Sequence, residues 1–178
     1  MNTARKLKIV KKIRAMMLAW HNDQPPHRRG PVEAYCLWWA FFTVGVLEMN
    51  GIRAALQAGT ACWRRLKPEQ DDGADETMPQ FGYKYEVGHP DNLARLATGR
   101  LPEMHCWAAI PDSSTIVDLT TGFQPRQCEM LSKMDWPGDL PPSFMWHKID
   151  ELPPGTVYHP EREAINLAIQ LLTQWGKV

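Results

Sequence analysis

His105-Cys106-Trp107-Ala108-Ala109-Ile110-Pro111-Asp112-Ser113-Ser114-Thr115-Ile116-Val117-Asp118-Leu119-Thr120 is the stretch on which the reading of the fold turns. Two strand-forming runs, 105–110 and 115–120, flank four residues that favour a turn. The expectation is an antiparallel hairpin, and its loop length decides the chemistry, because strand side chains alternate between faces. A two-residue turn at Pro111-Asp112 sets His105 opposite Asp118. A four-residue turn sets Asp118 opposite Trp107 and diagonal to His105. Either even loop leaves imidazole and carboxylate on one face, close enough to pair. An odd loop separates them. Cys106 points to the other face in every case, and Trp107 shares the face of His105.

Working upstream, the most apolar stretch runs from Ala34 to Leu47. A helix is expected from about Val32 or Tyr35 to Met49, stopped by Asn50-Gly51. Being apolar on nearly every side, it belongs in the interior. Cys36 lies near its start, where unpaired backbone N–H groups and the helix dipole favour a thiolate. By itself a cysteine among Tyr35, Leu37, Trp38 and Trp39 reads as a small core residue. Together with His105 and Asp118 it reads as a nucleophile. Cys36 would attack a carbonyl, His105 would hold the thiolate and then protonate the leaving group, and Asp118 would orient the ring. The Cys36 backbone N–H is the first candidate oxyanion donor. Asn22, Gln24 and His27, in the preceding loop, are candidates for a second, with Gln24 carried forward beside Tyr35 and Trp107 as residues of the substrate pocket.

These blocks resemble a known family. The order is a cysteine at a helix start (Ala34-Tyr35-Cys36-Leu37-Trp38), a strand opening His105-Cys106-Trp107, then Ile116-Val117-Asp118-Leu119-Thr120. It is similar to transglutaminase-like domains and their papain-like relatives, and Asn50-Gly51-Ile52-Arg53-Ala54 resembles the family's junction between nucleophile helix and first strand. The likeness covers about residues 30–123. It implies the triad Cys36, His105 and Asp118 and an antiparallel sheet packed against the cysteine helix. The family often has Gly two residues before its cysteine, where this chain has Ala34, and 124–155 matches no part of the pattern.

The rest of the chain fits one α+β domain of 178 residues: an N-terminal helix over 1–20, a catalytic core over 30–123 and a C-terminal extension over 124–178. Apolar residues at 44% and charged residues at 22% exclude a disordered chain. Zero net charge gives no basic field for nucleic acid. Ile9, Ile13, Met16 and Trp20 recur at helical spacing, and the cluster Arg5, Lys6, Lys8, Lys11, Lys12 and Arg14 reads as the solvated face of a packed helix in preference to an anion-binding face. Residues 52–66 read as one or two strands bent at Gly59, and Phe81 to Val87 as a strand. The acidic loop at 67–79 (Glu69, Asp71, Asp72, Asp75, Glu76) matches no cation-binding loop. A short helix is expected from Asp91 to Ala97, a turn or two of helix over 129–134, an edge strand at Val157-Tyr158, and a last helix over 160–175 ended by Gly176.

The four cysteines, Cys36, Cys62, Cys106 and Cys128, show no metal-ribbon spacing. A mixed metal site of Cys36, Cys106 and histidines is disfavoured by the opposed faces of residues 105 and 106. No run reaches the roughly 20 apolar residues of a membrane span, and the short apolar run Ala15 to Trp20 is no signal core. The expectation is a cytoplasmic protein with reduced thiols, acting on a peptide or protein substrate without a cofactor or metal. Hydrolysis and acyl transfer stay open, as does a rival from another class: a binding or interaction module on the same scaffold.

Overall fold

The computed structural model describes residues 1–65, 80–98 and 100–175. The acidic loop, Leu66 and Gly176 lie outside the described residues. In chain order the main elements are α1 (Thr3–Asp23), α2 (Cys36–Met49), β1 (Ala55–Arg64), β2 (Gln80–Tyr83), α3 (Pro90–Ala97), β3 (His105–Ile110), β4 (Thr115–Asp118), α4 (Gln124–Gln127), β5 (Met145–Lys148), β6 (Val157–Pro160) and α5 (Arg162–Trp175). The chain is mixed α/β, with a curled antiparallel sheet and a helix at each end. The sheet order is β2-β1-β3-β4-β5, and β6 also pairs with β1.

The hairpin takes the four-residue loop. Ile110 pairs with Thr115 and Ala108 with Val117, which sets Trp107 across from Asp118. Pro111–Ser113 form a 3-10 turn, and Ser114 closes it at φ 48°. The two faces are chemically distinct. Ala108, Ile110, Val117 and Trp146 pack under Ile9, Ile13 and Met17 of α1 and Trp39, Val46 and Leu47 of α2. Cys106 and Ala58 pack with Leu37 and Ala40 of α2 and Ala164, Ala168 and Leu171 of α5. The opposite face collects Trp63, Phe81, Trp107, Ile116, Met145 and Tyr158. α1, α5 and the sheet cover Leu37, Trp39, Ala40, Thr43, Val46 and Leu47 of α2, but Phe41, Gly45 and Met49 stay exposed, so the helix is not enclosed on every side as its apolar sequence led us to expect.

Two glycines shape this frame. Gly51 sits at φ +70° just beyond α2, and the Ile52 N–H closes back on the Leu47 carbonyl, the hydrogen-bonded stop expected at Asn50-Gly51. Gly59 marks the bend in β1. It is paired with both His105 and Pro160, and a Cβ there would collide with the His159 carbonyl oxygen.

Arg5, Lys6 and Arg14 fasten α1 to the domain, while Lys8, Lys11 and Lys12 are exposed, as expected of a solvated face. Arg5 donates to the Asn50 carbonyl (3.0 Å) and Arg14 to that of Ser143 (3.0 Å), while the Lys6 ammonium lies 5.6 Å from the Trp146 ring. Among the described residues no helix is long and apolar enough to cross a membrane.

Several expectations need correction. The strand predicted from Phe81 to Val87 ends at Tyr83. Beyond Ala61↔Tyr83 the same edge of β1 passes to β3, whose pairing begins at Gly59, and Val87 is exposed. The turn of helix expected over 129–134 is present as a π-turn over Cys128–Ser132, continuous with α4, and stops short of Met134. α3 begins at Pro90, one residue before the expected start. The C-terminal segment is woven into the sheet, since β5 pairs with β4 and β6 with β1.

Candidate active site

β3 begins with His105, so its imidazole stands at the end of a strand, beside the start of α2. The ring is buried at 1% exposure. Its Nε2 lies 2.8 Å from Asp118 Oδ2. A four-residue hairpin makes these residues diagonal neighbours on one face, which brings the two side chains together.

Asp118 is also buried, and its carboxylate is fully supplied with donors. Oδ1 accepts the Thr120 backbone N–H (2.8 Å) and hydroxyl (2.6 Å). Oδ2 accepts from His105 and from the Tyr158 hydroxyl (2.8 Å). Burial pushes its carboxyl up, but the His105 charge and hydrogen bond, with Thr120, hold it below the usual carboxylate range. Four donors on a buried anion keep it ionised and fixed in direction.

The remaining ring nitrogen, His105 Nδ1, is buried without a well-aligned hydrogen-bond partner. An unsatisfied buried donor costs on the order of 1–3 kcal/mol, so such an atom calls for an explanation. Cys36 and His105 line the same cleft, and the thiol acts on the ring through hydrogen bonding and charge. Burial pulls the imidazolium down, while Asp118 and then Cys36 outweigh it and push His105 up to about 10. Cys36 moves the other way. A hydrogen bond from the Cys106 thiol lowers it, burial opposes this, and the His105 hydrogen bond and charge bring it down to about 5. Both shifts favour a thiolate beside an imidazolium.

Aromatic rings enclose the imidazole. Tyr83 lies nearly parallel to it at 5.6 Å (16°) and Trp107 at 6.1 Å (15°), while Trp63 meets it edge-on at 5.1 Å. The Tyr83 hydroxyl donates to Gln127 Oε1 (2.8 Å), and Gln127 Nε2 donates to the Glu33 carbonyl (2.6 Å), bridging the sheet to the loop before α2. Cys36 itself is half-buried. With His105, Tyr83 and Thr120 it faces a cleft of about 210 Å3.

Of the residues singled out from sequence, Cys36, His105, Asp118 and Trp107 are brought together. Gln24, Tyr35 and Trp107, expected in the substrate pocket, are not part of the cleft wall; Trp107 instead packs beside the His105 ring. The Gln24 amide donates to the Trp20 carbonyl (3.2 Å), and the Tyr35 hydroxyl accepts the Gly30 N–H (2.8 Å). Both side chains serve the loop that delivers the chain to α2, because α1 and α2 pack side by side and draw that loop behind the helix start. Asn22 and His27 are exposed and are likewise absent from the cleft wall.

Sequence reasoning missed Tyr158, Tyr83 and Gln127. Tyr158 carried one signal, its place in an expected strand. The expectation that Cys106 points away from His105 holds for the sheet faces. Cys106 nevertheless reaches the Cys36 thiol, because α2 crosses the end of β3. Among the described residues no three His, Cys, Asp or Glu side chains converge to hold a metal ion. Comparison with protein-family models, curated proteins and solved structures found no match to this chain.

Proposed function

We propose that Cys36, His105 and Asp118 perform thiol-dependent acyl chemistry on an amide or ester carbonyl, on a scaffold related to the transglutaminase-like and papain-like domains. One observation carries the reading: a buried imidazole is fixed at Nε2 by Asp118, while its otherwise unpartnered Nδ1 is left for a half-buried cysteine at a helix start. A structural core histidine would have both nitrogens satisfied.

The reaction follows from those positions. The Cys36 thiolate attacks the carbonyl carbon, forming a C–S bond and an oxyanion, with the N–H groups at the start of α2 as donors to it. Collapse breaks the bond to the leaving nitrogen or oxygen, which takes the proton from His105 Nδ1. The thioester is resolved by water in a hydrolase or by an amine or alcohol in a transferase. In that half-reaction His105 accepts the acceptor's proton, and the thiolate leaves. Asp118 keeps the ring oriented and stabilises its positive charge throughout.

Low-dose iodoacetamide at neutral pH, followed by peptide mapping, tests this. Selective labelling of Cys36 is expected. Equal, slow labelling of all four cysteines favours a binding module that kept the scaffold without turnover.

A further inference from the structure

Among the described residues, Arg95 is an exposed cation of the Cys36 cleft wall whose charge no group answers. It lies in the last turn of α3 and lines the cleft with Cys36 and His105, yet its guanidinium makes no hydrogen bond or ion pair with any described residue. The other charged wall residue, Glu33, is already paired with Arg126 at 2.6 Å. Two acids lie in the neighbourhood, Asp91 one turn earlier on α3 and Glu103 on the segment leading into β3, and neither forms an ion pair with Arg95. Arg95 does lower the acidity threshold of the Tyr83 hydroxyl from within the cleft, against a larger opposing effect of burial.

The helix that carries Arg95 is held in place. Asn92, at 5% exposure, donates to the Glu86 carbonyl (3.1 Å) and accepts the Glu103 N–H (2.7 Å). One buried amide thus fastens α3 to the strand that begins at His105. Leu101, Pro102, Met104 and Leu131 give the wall its apolar part, beside the polar Thr120 and Gln127. At about 210 Å3 the space is smaller than a typical ligand pocket, and suits a short side chain.

We propose that Arg95 selects an acyl donor bearing a carboxylate on a short apolar stem, a few bonds from the carbonyl that Cys36 attacks. This inference rests on the nucleophile reading above and names its substrate class. Arg95 is exposed, and its planar guanidinium can hold a carboxylate in one orientation through two parallel hydrogen bonds.

Iodoacetate and iodoacetamide share reactive carbon and leaving group and differ by a carboxylate, so the ratio of their rates at Cys36 reads the anion preference directly. Arg95→Gln should lower the iodoacetate-to-iodoacetamide ratio by about fivefold. Arg95→Lys should retain most of it. Arg100→Gln, which removes an exposed cation outside the cleft wall, should leave it unchanged. A ratio untouched by Arg95→Gln, with Cys36 still the fast-labelling thiol, overturns the role of Arg95 alone. Cys36 reacting no faster than Cys62 with either reagent overturns the inference and the nucleophile reading together.

Discussion

Cys36 and Cys62 are both half-buried thiols, and they titrate in opposite directions. Cys62 lies within β1, paired with Gly82 and Val157. Burial raises it, and the charge of Lys84 only partly offsets this. Cys36 suffers the same burial penalty, but stands at a helix start between the Cys106 thiol and an imidazolium anchored by Asp118. Exposure is therefore a poor guide to thiol reactivity. The donors and charges facing the sulfur decide it.

The largest expected break in this contrast comes from His105→Ala. Without the imidazolium the Cys36 thiol returns toward an ordinary value of about 8.5, so its thiolate fraction near pH 6.5 falls from almost complete to about one per cent. Alkylation of Cys36 should slow about a hundredfold, while Cys62 labels as before. Mass-spectrometric rates at each cysteine measure both at once. Asp118→Asn should have a smaller effect, about tenfold in the same assay. It removes the anion that raises His105 but leaves the ring in place. It also leaves donors from Thr120 and Tyr158 badly matched, so denaturant unfolding should report a loss of about 1–3 kcal/mol. Cys106→Ala should be milder again, about threefold, because a thiol is a weak donor whereas the imidazolium brings a full charge. An effect of Cys106→Ala as large as that of His105→Ala would show that the neighbouring thiol, and not the ion pair, sets the contrast.

Much of this site was legible before any coordinates, for local reasons. The parity of a β-hairpin is a local property, so a turn of even length was enough to predict that His105 and Asp118 share a face. The Asn50-Gly51 stop and the unbroken apolar run identified the helix and set Cys36 at its start, although they did not show that Phe41 and Met49 would stay exposed. What could not be read depends on contacts distant in sequence. Tyr158 reaches Asp118 across 40 residues, Tyr83 reaches Gln127 across 44, and Gln127 reaches Glu33 across 94. No periodicity records which strand β6 will pair with. The loop carrying Asn22, Gln24 and His27 misled for the same reason: nearness in the chain to Cys36 suggested nearness in space, and the packing of α1 on α2 undoes it. β5 was hidden because Met145–Lys148 is too short to alternate visibly among prolines. The transglutaminase-like resemblance rests on the half of the chain whose logic is local.

The central claim is that an ion pair joins Cys36 and His105, and the pH dependence of Cys36 alkylation tests it most directly. Cys36 is depressed, so its thiolate is lost as pH falls through about 5, while His105 is raised, so the imidazolium persists until pH climbs through about 10. The rate at Cys36 should rise to half its plateau near pH 5 and stay level through neutrality. A half-rise near pH 8.5, as for an unperturbed thiol, would contradict the account.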